Sequence, residues 1–98
     1  MLSWWKRRRR RRQLSTVVVE LPRLLAHRNG GMDWYTPRQI ERALDDLRRR
    51  SLAPYAYAVA CDAEAFGLAQ PGEPPERRRE LRREIAEHFE DTIAGRHP

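Results

Sequence analysis

The sequence predicts a small all-α single domain of about four helices, carried behind a flexible, arginine-rich N-terminal tail. Three observations lead there. Apolar residues recur at helical spacing in successive stretches. Caps, prolines and glycines mark the ends of those stretches. The excess of basic charge lies almost wholly in residues 1–12, which contain no acid. The natural division is therefore a basic tail over 1–12 and a helical domain over 13–95, with a linker at 70–75 before the last helix.

The tail begins Met1-Leu2-Ser3-Trp4-Trp5-Lys6 and continues with the six arginines Arg7, Arg8, Arg9, Arg10, Arg11 and Arg12. On a helix these arginines would point in every direction, so no amphipathic stripe is expected. Leu2, Trp4 and Trp5 form an apolar tip beside the cationic run. Trp4, Trp5, Lys6 and Arg7–Arg12 are the candidate surface-contact residues, and two kinds of partner suit them. Tryptophans at headgroup level with adjacent cations would hold an anionic membrane surface, each basic residue adding about 1 kcal/mol. The same residues could instead neutralise phosphates and stack on bases of a nucleic acid, or meet an acidic protein. The plainest alternative is a solvated charge run whose tryptophans fold back onto the body.

Residues 13–29 combine the strand-like run Thr16-Val17-Val18-Val19 with a helical spacing of Leu14, Val17, Val18, Leu21 and Leu25. A lone strand would find no partner, so a helix is expected, either kinked at Pro22 or restarted there. Arg23, His27 and Arg28 suit its C-terminal end, and Gly30-Gly31 would close it. His27 fits a dipole-favoured terminal residue better than a ligand or base.

The strongest local signal lies at Trp34-Tyr35-Thr36-Pro37-Arg38-Gln39-Ile40. Thr36 and Gln39 make a capping box, Pro37 takes the first helical position, and Tyr35 with Ile40 forms a hydrophobic staple. Ile40, Ala43, Leu44 and Leu47 share one face of a helix expected over 37–50. Arg42 with Asp46, Asp45 with Arg49 and Asp46 with Arg50 stand one turn apart as ion pairs. Arg48-Arg49-Arg50 then serve the helix end rather than a phosphate.

A proline-started helix is expected from Ser51-Leu52-Ala53-Pro54 to Cys61, its alanines allowing close packing. Cys61 has no base or cation nearby in sequence that would activate it, and fits a buried structural thiol. Asp62 would cap a short turn, Ala63 to Phe66, closed by Gly67. After the linker, a helix from Glu76 to about Ala94 carries Leu81, Ile85, Phe89 and Ile93 on one face, with Ala86 beside them. Arg77, Arg78, Arg79, Arg82 and Arg83 crowd its early turns, where they oppose the helix dipole. Glu84, His88 and Asp91 fall short of a recognisable metal-ligand pattern.

Ninety-eight residues permit one modest core rather than an enclosed active-site cavity. The formal net charge of +6 is misleading, because residues 13–98 hold thirteen basic and fourteen acidic side chains. The body is thus nearly neutral. One cysteine forms no internal disulfide and suits a reducing compartment. No run approaches a membrane span, and neither a secretory nor a twin-arginine signal has its apolar segment, so export is not expected. Phosphate-loop, CxxC, HExxH and GxSxG patterns are missing. A helix-turn-helix reading fails because the helix after 37–50 is alanine-rich and offers nothing to base edges.

The chain resembles a family of small bacterial proteins of unknown function. The matching features are a basic N-terminal helix ending in Leu21-Pro22-x-Leu24-Leu25, then Trp34-Tyr35-Thr36-Pro37-x-Gln39-Ile40. Tyr55-Ala56-Tyr57-Ala58, Cys61-Asp62 and Leu81-x-x-Glu84-Ile85-Ala86-x-x-Phe89 follow. The resemblance implies a compact helical fold in a bacterial cytoplasm and supplies no activity, substrate, cofactor or site residues. The expected function is a non-enzymatic interaction or adaptor protein whose basic N-terminus contacts the cytoplasmic membrane face. The alternative is an accessory protein that binds nucleic acid through the same residues.

Overall fold

The first twenty-nine residues hold the longest helical run, and Pro22 explains its form. In the computed structural model, which describes residues 2–95 and the side chains of residues 6–89, α1 (Leu2–Ser15) passes into a π-helical turn (Thr16–Glu20) and then α2 (Leu21–Asn29). Backbone angles remain right-handed helical at Ser15, Glu20 and Leu21, so the rod is neither broken nor restarted. A proline ring clashes with the carbonyl four residues back in a regular α-helix, here that of Val18. One wider turn, marked by the Leu21 N–H donating to the Thr16 carbonyl, accommodates it. The wider turn also centres the apolar stripe on Val17. Leu14, Val17, Leu21 and Leu25 are fully buried, whereas Val18, expected on the same face, is exposed at its edge. Nor does the rod divide at the expected tail boundary, since α1 runs through residues 12 and 13.

Gly30 ends α2 in a positive-φ conformation that glycine adopts without strain, and its N–H bonds the Ala26 carbonyl at 2.9 Å. The loop then reaches α3 (Pro37–Leu47), whose capping box forms as expected. Gln39 N donates to Thr36 Oγ1 at 3.2 Å, and Thr36 N donates to Gln39 Oε1 at 2.9 Å. Tyr35 does more than staple. Its hydroxyl donates to the Gly30 carbonyl at 2.8 Å and accepts from Met32 N at 3.2 Å, which fixes the loop before the helix.

The end of α3 departs from expectation. The helix stops at Leu47, and Arg48 takes a left-handed conformation (φ 56°, ψ 43°), returning its N–H to the Asp45 and Leu44 carbonyls. A short 3₁₀ turn (Arg50–Leu52) follows. The three expected i,i+4 pairs do not form: the turn carries Arg49 and Arg50 off the helix, and Asp46, one turn after Arg42, pairs elsewhere. Arg50 folds back to Asp45 and Glu41 instead, with both contacts at 2.8 Å. Asp46 pairs with Arg28 of α2.

Next come α4 (Ala53–Ala60) and α5 (Ala63–Ala69). Asp62 caps α5 by accepting from Ala65 N at 2.8 Å, but Gly67 lies inside the helix and does not close it. Hydrogen bonds from Glu73 N to the Gln70 carbonyl and from Arg77 N to the Pro74 carbonyl shape the proline-rich linker into turns. The last helix is α6 (Glu76–Gly95). Its Leu81 and Ile85 are buried and Phe89 packs against the core, while Ala86 is exposed. Ile93 and Asp91 lie outside the residues whose side chains are described.

With α1, the π turn and α2 counted as one continuous run, the described residues thus form five main helical segments and no strand, packed around one core. α4 lies in the middle and touches α3, α5, α6 and the π turn, while α6 also meets α1. Burying each large aliphatic side chain contributes about 1.5–3 kcal/mol, against about 0–1 kcal/mol for an exposed ion pair. The apolar seam therefore sets the architecture. Thr36→Ala should cost about 1 kcal/mol by removing the cap. In a domain of this size that lowers the thermal-unfolding midpoint by roughly 4–8 °C, and an unchanged midpoint would contradict the role of the cap.

Candidate functional site

The candidate contact residues lie on α1, and the fold sorts them into two groups. Lys6, Arg7, Arg8, Arg9, Arg11 and Arg12 are exposed. Arg10 is half-buried, with its guanidinium 5.5 Å from the centre of the Tyr55 ring. Arg11 stands 5.9 Å from the centre of the Phe89 ring. Both are within cation–π range, so two arginines of the run are committed to holding α1 against α4 and α6. Lys6, Arg7, Arg9 and Arg12 make no ion pair with any described residue. A shallow concavity is lined by Lys6, Arg8, Arg9 and Arg12. The tips expected from Trp4 and Trp5 fall outside the residues whose side chains are described.

The mounting of this face is polar as well as apolar. Tyr55, beneath Arg10, donates its hydroxyl to Glu84 of α6 at 2.9 and 3.0 Å. Burial and then the Glu84 carboxylate push the Tyr55 hydroxyl above its ordinary range, so it stays protonated and donating. Arg10, Tyr55 and Glu84 therefore tie three helices together. Glu84 is consequently occupied, and the described residues contain no group of three or more potential metal ligands.

The arginines of α6 find a purpose that sequence reasoning missed. Arg82 Nη1 donates to the Ala58 carbonyl at 2.9 Å, and Arg78 Nη2 donates to the Cys61 carbonyl at 3.1 Å. Tyr35 N donates to the Ala60 carbonyl at 2.7 Å. These are carbonyls at and just beyond the C-terminus of α4, which a helix cannot satisfy by itself. Arg78 also stacks 5.3 Å from the centre of the Trp34 ring, while its Nε is buried without an acceptor. The aromatic face partly offsets that loss. The available signal was a run of cations at the wrong end of their own helix, which called for a second helix end nearby.

Cys61 is fully buried, and burial, followed by Asp62, pushes its thiol up to about 11. Such a thiol is a poor nucleophile at neutral pH. No helix of the described residues is long and apolar enough to cross a membrane.

Fold and surface define a small all-helical protein whose cationic first helix packs against a nearly neutral body. The chain belongs to the family of unknown function DUF6559, whose model matches residues 5–94 and so takes in the arginine run. No curated protein and no solved structure matches it.

Replacing Arg82 by Ala should destabilise the domain by roughly 1–2 kcal/mol in urea unfolding, whereas Arg83→Ala, which removes no hydrogen bond or ion pair to a described residue, should cost under about 0.5 kcal/mol. Equal effects would deny the capping role. The buried thiol gives a second expectation. Its pKa is raised on folding from 9.0 to about 11, so its stabilisation is complete below pH 9 and falls as pH rises towards 11. Cys61→Ala should flatten that fall, and native Cys61 should react with an aromatic disulfide reagent at pH 8 only as fast as the protein opens.

Proposed function

We propose that this is a non-enzymatic interaction protein that docks on an anionic membrane surface through α1. The observation that carries the proposal is the exposed set Lys6, Arg7, Arg9 and Arg12, unpaired with any described residue on a helix fixed to the core. A helix held at Leu14 and by Arg10 and Arg11, and continued by the buried Val17 of the π turn, presents these charges without the ordering cost of a loose chain. Trp4 and Trp5 suit the headgroup level of a bilayer, where an amphipathic ring meets both phases. The non-enzymatic part rests on chemistry. The thiol is buried and protonated, and Glu84 is held by Tyr55. We place the protein on the cytoplasmic face of the membrane, where anionic lipids attract basic segments.

Sedimentation of the full chain with phosphatidylglycerol vesicles tests the reading. Binding should be strong to these and weak to phosphatidylcholine vesicles. Changing Lys6, Arg7, Arg9 and Arg12 together to Gln should weaken it by about 4 kcal/mol, on the order of a thousandfold. Trp4→Ala with Trp5→Ala should reduce it further in a salt-insensitive way. Equal binding by the parent and the four-substituted protein would overturn the proposal. Tight binding to DNA or RNA with a steep salt dependence, and none to vesicles, would transfer α1 to the nucleic-acid reading.

A further inference from the structure

A second cationic feature lies away from α1. A cleft where α2 ends and α3 begins is lined by Arg28, Asn29, Thr36, Arg38, Gln39 and Arg42. Three guanidiniums from two helices surround it, and one carboxylate, Asp46, answers them by pairing with Arg28. Arg38 and Arg42 make no ion pair with any described residue. The other acids of α3 are engaged elsewhere, since Glu41 and Asp45 both hold Arg50.

This placement works against the helix that carries it. Arg38 and Arg42 stand four residues apart on one face, where like charges repel. Arg38 also lies in the first turn of α3, where the dipole disfavours a cation. Two uncompensated positive charges therefore remain at the cleft. Of the amides at the helix start, Pro37 has none, those of Thr36 and Gln39 serve the capping box and that of Ile40 bonds the Thr36 carbonyl, which leaves the Arg38 N–H. One N–H of the Asn29 side-chain amide goes to the Leu25 carbonyl at 3.1 Å. Recognition rests chiefly on the guanidinium forks, with the Arg38 N–H and the Thr36 hydroxyl left to donate.

We infer that this cleft binds a phosphate-bearing ligand through Arg38 and Arg42. Planar guanidiniums match the paired oxygens of a phosphoryl group, and a phosphomonoester dianion balances two charges where a carboxylate would leave one unmet. The site stands independently of the reading of α1. The phosphoryl group could belong to a soluble molecule or to the headgroup of phosphatidic acid.

Titration with inorganic phosphate, followed by the amide and arginine Nε–H resonances at constant ionic strength, provides the test. Saturable shifts should centre on Arg28, Arg38 and Arg42, with chloride producing none. Arg38→Gln and Arg42→Gln should each weaken binding roughly tenfold. Arg49→Gln should leave it unchanged, because Arg49 is exposed and its Nη1 contacts the adjacent Arg48 carbonyl. All three positions are exposed, and a preserved helical circular-dichroism spectrum confirms folding of each variant. Shifts that fail to saturate, or an Arg49→Gln loss equal to that of Arg38→Gln, would overturn the inference. The source is read in the four-substituted α1 protein, where the first helix contributes little. Competition by phosphatidic-acid vesicles supports the site with a lipid headgroup as ligand, and saturation without competition supports it with a soluble one.

Discussion

The carbonyl end of α4 is the constraint on which the other helices depend. This eight-residue helix is too short to be stable alone and is largely buried, so its unsatisfied carbonyls cannot rely on water. Three of the carbonyls at and just after its end are met from outside: Ala58 by Arg82, Ala60 by Tyr35 and Cys61 by Arg78. The donors come from α6 and from the loop before α3. Satisfying α4 therefore fixes where both neighbours sit, and Trp34 lies under Arg78 as a consequence.

Arginine carries this fold in two ways. Arg78 and Arg82 act as hydrogen-bond donors on a helix end, and Arg10 and Arg11 act as flat cations on aromatic rings. A lysine would fit the second task poorly, having no plane to stack. The composition, with one lysine among twenty basic residues, thus has a structural use at these positions. The same commitment makes the exposed part of α1 a fixed display. Arg10 and Arg11 hold the helix, and Lys6, Arg7, Arg9 and Arg12 face outward from it.

Much of the secondary structure was legible because it is decided locally. The capping box at Thr36 and Gln39 needs four consecutive residues, and it formed as written. Buried stripes such as Leu14, Leu21 and Leu25, or Leu81 and Ile85, follow from spacing alone. Errors arose where competing local solutions differ little in energy. A π turn, with helical backbone on either side, accommodated Pro22. A left-handed Arg48, with no glycine to announce it, ended α3 early and took Arg49 and Arg50 out of their expected ion pairs. Gly67 continued α5 where it was expected to stop it, since an exposed helical glycine costs only about 1 kcal/mol.

The sequence by itself determined an all-helical chain, its main helix starts, the burial of Cys61 and the concentration of charge near the N-terminus. These depend on capping, periodicity and composition, which act over a few residues. Only the tertiary structure decided what the arginines do. Whether a guanidinium meets a carbonyl, an aromatic ring, a carboxylate or solvent depends on a residue seventeen, twenty-four or more positions away. Such a pairing leaves no periodic trace in the chain, because it is set by how whole helices pack. For that reason one uniform run, Arg7 to Arg12, contains both structural anchors and exposed charge, and only packing tells them apart.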